Sequence, residues 1–107
     1  MMDKKPIVIS GDAGKGSYHV AGNRLEQNRP NPFRTETTIG FVLSESGSAT
    51  ITIYDLAGKV MRSVTGDFSK GYNEIQLRKE GLGTSGVLYY RLDAREYSET
   101  KRMILMN

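Results

Sequence analysis

Few residues in this chain have types and spacing suited to chemistry. Gly11-Asp-Ala-Gly-Lys-Gly-Ser17 follows an apolar run, Ile7 to Ile9, and so invites comparison with a phosphate-binding loop. Walker A spacing requires Gly, four residues, then Gly-Lys-Ser/Thr, with a helix N-terminus behind it to hold the phosphate. Here Lys15 follows Gly11 by four positions and precedes Gly16, and Ser17 to Gly22 has no helical pattern, so the stretch reads as a turn or linker. The single imidazole, His19, sits in the same stretch and reads as an ordinary exposed histidine. Cysteine is absent, which removes a disulfide framework, a thiolate nucleophile and any Cys metal site, and one histidine does not make a zinc site. Glu74 and Asp93 are better read as solvated strand and turn residues than as an acid-base pair. No catalytic residue, cofactor or metal is expected, and an enzyme is the least supported class.

The elements that would position any site are strands. With 107 residues and 37% hydrophobic content, the chain is long enough for one core and too short for two. Its 15 basic and 12 acidic side chains are interleaved, so the net charge of +3 forms no concentrated basic face and nucleic-acid binding is not expected. No stretch approaches the roughly 20 apolar residues of a membrane helix, so membrane insertion is not expected. The charged start is followed by only three apolar residues, short of the roughly 7 to 15 of a signal-peptide core. The chain therefore either stays inside the cell or has an export signal upstream of this sequence.

Asn28-Arg-Pro-Asn-Pro-Phe33 divides the chain. Two prolines fix φ and remove two donors, and the residues before them are pushed toward extended conformations, so a stiff, extended lead-in ending in the apolar anchor Phe33 is expected. Beyond it, Thr35 to Leu43 alternates in period two with Ile39, Phe41 and Leu43 on one face. Ala49 to Tyr54 alternates again, with Ala49, Ile51 and Ile53 inward, and these two runs read as antiparallel neighbours. Asp55-Leu-Ala-Gly58 has the Asp and Gly of a type I turn, with Gly58 left-handed and Lys59 opening the return strand. The inward face of that strand is ambiguous between Val60/Arg62/Val64 and Met61/Ser63, and the first set is favoured. Thr65 to Gly71 reads as a loop holding Phe68. Tyr72 to Leu77 is a strand with Ile75 and Leu77 inward, and Leu82 tethers the glycine-rich loop after it. Val87 to Ala94 is the most apolar strand and is expected to be central, and Glu99 to Asn107 closes the chain. Turn signals every 8 to 12 residues and no helical periodicity predict an all-β, Ig-like antiparallel β-sandwich of about seven strands. Residues 1–23 are expected to be a linker or the tail of an upstream protein, and 24–107 the domain.

Several ordered motifs resemble the C-terminal sorting domain of the type IX, or Por, secretion system of Bacteroidetes. Leu25-Glu-Gln-Asn28 followed by Pro30-Asn-Pro-Phe33 is similar to that family's opening signature, and Thr38-Ile-Gly-Phe41 to its first strand. Ile53-Tyr-Asp-Leu-Ala-Gly-Lys59 is similar to its Asp-x-x-Gly-Lys hairpin. Ser85-Gly-Val-Leu-Tyr-Tyr-Arg-Leu92 is similar to its Ser-Gly-x-Tyr strand, with Leu88 where an aromatic is commoner. Lys101 with Met103 to Met106 is similar to the closing strand, with Asn107 where a terminal Lys is frequent. The resemblance implies a non-enzymatic address fused to a cargo protein. An outer-membrane translocon would recognise it, a sortase-like peptidase would remove it, and the cargo would be carried through the periplasm and outer membrane to be secreted or held at the cell surface.

An edge strand at the end of the sheet would offer unpaired N–H and C=O groups to a partner, with alternate side chains read for specificity. Lys101, Arg102, Met103, Ile104 and Leu105 are accordingly candidates for partner recognition. Asn31, Pro32 and Phe33 in the lead-in, Asp55, Gly58 and Lys59 in the hairpin, and Gly86 before the central strand are the others. Each also has a structural duty: Phe33 packs, Asp55 and Gly58 shape a turn, and the charges of the last strand protect an edge. The alternative function is an Ig-like adhesion or carbohydrate-binding module using Tyr54, Tyr72 and Tyr97 as outward aromatics, although tryptophan is absent.

Overall fold

The computed structural model describes residues 22–83 and 85–107. The Ile7 to Ile9 run, the glycine cluster and His19 lie outside the described residues. Seven strands form: β1 (Arg24–Leu25), β2 (Glu36–Leu43), β3 (Gly47–Tyr54), β4 (Val60–Phe68), β5 (Gly71–Arg78), β6 (Gly86–Ala94) and β7 (Tyr97–Leu105). They make two antiparallel sheets, a small one ordered β1-β2-β5 and a large one ordered β4-β3-β6-β7, packed as a sandwich.

The period-two runs explain this layering. Ile39, Phe41 and Leu43 of β2 and Leu77 of β5 face Ala49, Ile51 and Ile53 of β3 and Leu88, Tyr90 and Leu92 of β6, and all are buried. A fully buried side chain of this size contributes about 1.5–3 kcal/mol, so the two inner faces supply most of the driving force. Leu82 lies in the same core as the tether of the β5–β6 loop. β6 sits between β3 and β7, the central place its composition predicts.

Four expectations are corrected. First, β2 and β3 do not pair; the chain crosses between sheets after Leu43, because two runs that each bury one face are best served by facing one another. Second, the inward residue at the start of β4 is Met61, not Val60. A bulge between Ile53 and Tyr54 shifts the register, so that Ile53 opposes Arg62 while Tyr54 opposes Val60, leaving Val60 52% exposed and Met61 against the core. Third, Thr65 to Phe68 is strand rather than loop. Thr65 opposes Thr50, their hydroxyls 2.9 Å apart, and Phe68 packs edge-on against Phe41 with ring centroids 5.0 Å apart. Fourth, residues 29–33 are bent rather than extended, with cis bonds at Arg29-Pro30 and Asn31-Pro32.

The Asp55 turn forms as its residues predict. Asp55 Oδ1 accepts from the amides of Ala57 (2.9 Å) and Lys59 (2.8 Å), Gly58 N–H donates to Asp55 C=O (3.0 Å), and Gly58 has φ of 86°.

Candidate functional site

The lead-in is a strap laid across the open edge of the sandwich, tied to both sheets. On the small sheet, Arg29 and Thr38 exchange backbone hydrogen bonds (2.9 and 2.8 Å). The Arg29 guanidinium donates to Glu74 Oε2 (2.9 Å) and to the Tyr72 hydroxyl (3.2 Å), which itself donates to Glu74 (2.9 Å). Tyr72 can lie there because residue 40 is glycine: a Cβ at Gly40 would stand 2.3 Å from the Tyr72 hydroxyl oxygen.

On the large sheet the strap meets β7. Asn31 Oδ1 accepts from Ile104 N–H (2.9 Å), Phe33 N–H donates to Ile104 C=O (3.0 Å), and Met106 N–H donates to Phe33 C=O (2.8 Å). Gln27 Nε2 donates to Arg102 C=O (2.7 Å). Phe33 thus forms a one-residue parallel bridge with Leu105 while its ring is buried in the core. The expectation of a wholly free terminal edge is corrected: residues 27–33 cover β7 from the Arg102 carbonyl to Met106.

Beneath the strap lies a buried polar network. The Tyr90 hydroxyl donates to Glu26 C=O (2.7 Å) and accepts from Asn28 N–H (2.9 Å). Asn28 Nδ2 donates to Thr37 Oγ1 (3.0 Å) and to Pro30 C=O (3.2 Å), and Thr37 Oγ1 donates to the same carbonyl (2.9 Å). Burial pushes the Tyr90 hydroxyl up to about 12; the Asn28 amide opposes this, and the carboxylates of Glu99 and Glu26 add to it. At the other end of β7, Glu99 accepts from Leu25 N–H (2.9 Å) and from the Tyr97 hydroxyl, and pairs with Lys101 (3.7 Å). Burial alone would raise the Glu99 carboxyl, but those bonds together hold it below its ordinary value. Burial, with the bond to Glu99, pushes Tyr97 up to about 12.

The structure therefore brings Asn31, Pro32 and Phe33 together with Arg102, Ile104 and Leu105, and Gly86 opposes Leu105 across the ladder. Met103 is buried, and Lys101 is half-buried beside Glu99. Asp55, Gly58 and Lys59 are not part of this cluster: Tyr54 opposes Tyr89, which opposes Arg102, so β6 stands between the turn and β7. Sequence reasoning did not single out Gln27, Asn28, Tyr90 or Glu99 as partners of the strap. A tyrosine at an inward position of an alternating strand is the available signal, since its hydroxyl needs a buried partner.

The three tyrosines considered for a sugar platform lie on separate surfaces. Tyr54 is on the outer face of the large sheet under Arg91, whose guanidinium carbon is 5.3 Å from the ring centroid. Tyr72 is on the outer face of the small sheet, and Tyr97 packs against the core rather than pointing outward. Among the described residues no three of His, Cys, Asp and Glu are grouped to hold a metal ion. Among the described residues, a depression lined by Asn23, Ala94, Arg95, Glu96 and Tyr97 is open to solvent. No helix among the described residues is long and apolar enough to cross a membrane.

A comparison with curated proteins finds no match. The family model described as the secretion system C-terminal sorting domain matches residues 29–106, from the strap through the end of β7. That span includes every strand except the two-residue β1, so this chain belongs to the family of type IX secretion C-terminal sorting domains.

Proposed function

We propose that residues 24–107 act as a sorting module for a cargo protein joined upstream, with residues 1–23 as the tail of that cargo or a linker to it. A type IX sorting domain directs export across the outer membrane. The finer steps are our reading: an outer-membrane translocon recognises the folded module, and a sortase-like peptidase removes it at a bond upstream of Leu25, leaving the cargo secreted or attached at the cell surface. The carrying observation that supports this reading is the family match over residues 29–106, which runs from within the strap to the residue after β7. Within it, the strap residues Asn31 to Phe33 and the β7 residues Arg102, Ile104 and Leu105 are the recognition candidates that adjoin one another; the Asp55 turn would be a second, separate contact.

The test is a reporter fused ahead of the whole chain in a host carrying a type IX secretion system. Reporter outside the outer membrane is expected, and reporter retained in the periplasm with the domain intact overturns the reading. Deleting residues 99–107 is not an informative partner experiment, because it removes Met103 and Leu105 from the core.

A further inference from the structure

The strap covers only part of the β7 edge, and the hydrogen-bond parity of the strand says which part remains. Ile104 turns both its N–H and its C=O toward the strap, and Arg102 turns its C=O toward Gln27. In an antiparallel ladder, residues bonded to the neighbouring strand alternate with residues whose groups point the other way. β7 pairs with β6 without interruption from Ala94–Tyr97 to Gly86–Leu105, so the alternation holds along its whole length. The outward-pointing groups are therefore those of Ser98, Thr100, Arg102 and Ile104. Ile104 and the Arg102 carbonyl are occupied. The N–H and C=O of Ser98 and Thr100 and the N–H of Arg102 have no protein partner among the described residues.

Of the usual guards of an edge, this stretch carries only charge. It holds no proline and no bulge, whereas the opposite edge strand, β4, carries the register shift at Ile53/Tyr54. Its half-buried charges, Glu99 and Lys101, pair with one another. Ser98 and Thr100 are exposed beside Arg102, which has no carboxylate within ion-pair distance among the described residues. Strap and open stretch form one continuous edge, already shown able to accept a strand-like segment at Phe33.

We infer that Ser98–Arg102 is an acceptor edge for an extended segment of a partner protein, added as a fifth strand to the large sheet, with a carboxylate of that segment facing Arg102 and the strap fixing where the pairing stops. This rests on the sorting reading and specifies how the module is gripped: by backbone, over five residues.

Proline separates backbone from side chain here. Thr100→Pro removes an outward N–H and leaves the β6 ladder whole, and Ser98→Pro does the same two residues earlier; Lys101→Pro removes a ladder bond and is the unfolding control. In the reporter fusion, Thr100→Pro is expected to lower export about tenfold, in line with losing one or two backbone hydrogen bonds to the partner, while Thr100→Val exports like the parent and both melt cooperatively by circular dichroism. If the parent fusion is itself not exported, the sorting reading fails. If the parent is exported and folded Thr100→Pro and Ser98→Pro are exported equally well, the acceptor edge is overturned. Thr100→Pro melting like Lys101→Pro would put that N–H in the β6 ladder and overturn it as well. If the purified chain sediments as a dimer that Thr100→Pro converts to monomer, a second copy is the occupant and the partner reading falls.

Discussion

The Asp55 turn and the strap at 28–33 are both short segments built from Asp, Asn, Gly and Pro, yet they are held in opposite ways. Every hydrogen bond of the turn closes within four residues, through Asp55 Oδ1, the Gly58 amide and the exchange between Asp55 and Lys59. Most bonds of the strap join it to residues far along the chain: Asn28 to Tyr90, Arg29 to Glu74, Asn31 to Ile104 and Phe33 to Met106. The turn is a local structure that a hairpin carries with it. The strap exists only when both sheets are assembled beneath it, so it reports on the whole fold, and the whole fold depends on it.

That contrast is broken most directly at Phe33. Its ring is 1% exposed, and Phe33→Ala is expected to cost about 3–5 kcal/mol of global stability through lost burial and the cavity left behind. Urea denaturation checks it: a lowered midpoint with an unchanged slope supports the strap as core. A midpoint equal to wild type, with only the strap amides exchanging faster, would make the strap a peripheral flap.

Tyr90 sharpens the same point at a smaller scale. Tyr90→Phe keeps the ring but deprives the Glu26 carbonyl and the Asn28 amide of their partner, an expected loss of about 1–3 kcal/mol. Its pH signature is independent of that figure. A tyrosine whose folded pKa lies near 12, against an ordinary 10, holds its proton more tightly in the folded state. Its contribution is complete below pH 10 and is lost as pH rises from 10 toward 12. Tyr97 behaves alike. Melting temperatures in this range should fall steeply in the wild type and less steeply in Tyr90→Phe; equal slopes would mean that the Tyr90 hydroxyl is not held in its protonated form by the fold.

The same contrast explains what could be read from the residues alone. The alternating runs and the Asp55 turn were legible because their physics is local: a period of two selects a buried face, and an Asp-x-x-Gly stretch selects its own hydrogen bonds. The bulge after Ile53, which exposes Val60 and turns Met61 inward, was not, because register shifts depend on how β3 and β4 meet. Nor was the covering of β7, since nothing in Asn28 to Phe33 indicates which of four sheet edges it will lie against. The candidate site was half legible in consequence. Its two halves were each identified, and their meeting, with Gln27, Asn28 and Tyr90 beneath it, is a property of the assembled sandwich.

Asp55→Ala tests the local side. Removing Oδ1 frees the Ala57 and Lys59 amides, but both are exposed and water replaces the lost acceptor, so the expected cost is about 1 kcal/mol. The strap bonds should survive unchanged, visible as unaltered protection of the Ile104 and Met106 amides in hydrogen exchange. Loss of that protection would couple the turn to the strap across β6 and remove the distinction between them.

The smallest effect is expected at Glu99, where β7 holds β1, just ahead of the strap, through the Leu25 amide. A carboxylate kept below its ordinary value binds its proton less readily in the folded state than in the unfolded chain. The stability it supplies is therefore present above the unfolded value of about 4.5 and disappears as pH falls through the folded one. Glu99 is a third exposed, so solvent screens these bonds and the shift in melting temperature is expected to be slight. The sign carries the test: Glu99→Gln should melt below wild type at pH 7, and the gap should close on acidification toward pH 3. A gap that stays constant would assign the defect to packing around Tyr97 rather than to charge. The Leu25 tie would then be one more shape contact between the sheets, and the strap would owe its position to Phe33 and the Tyr90 network alone.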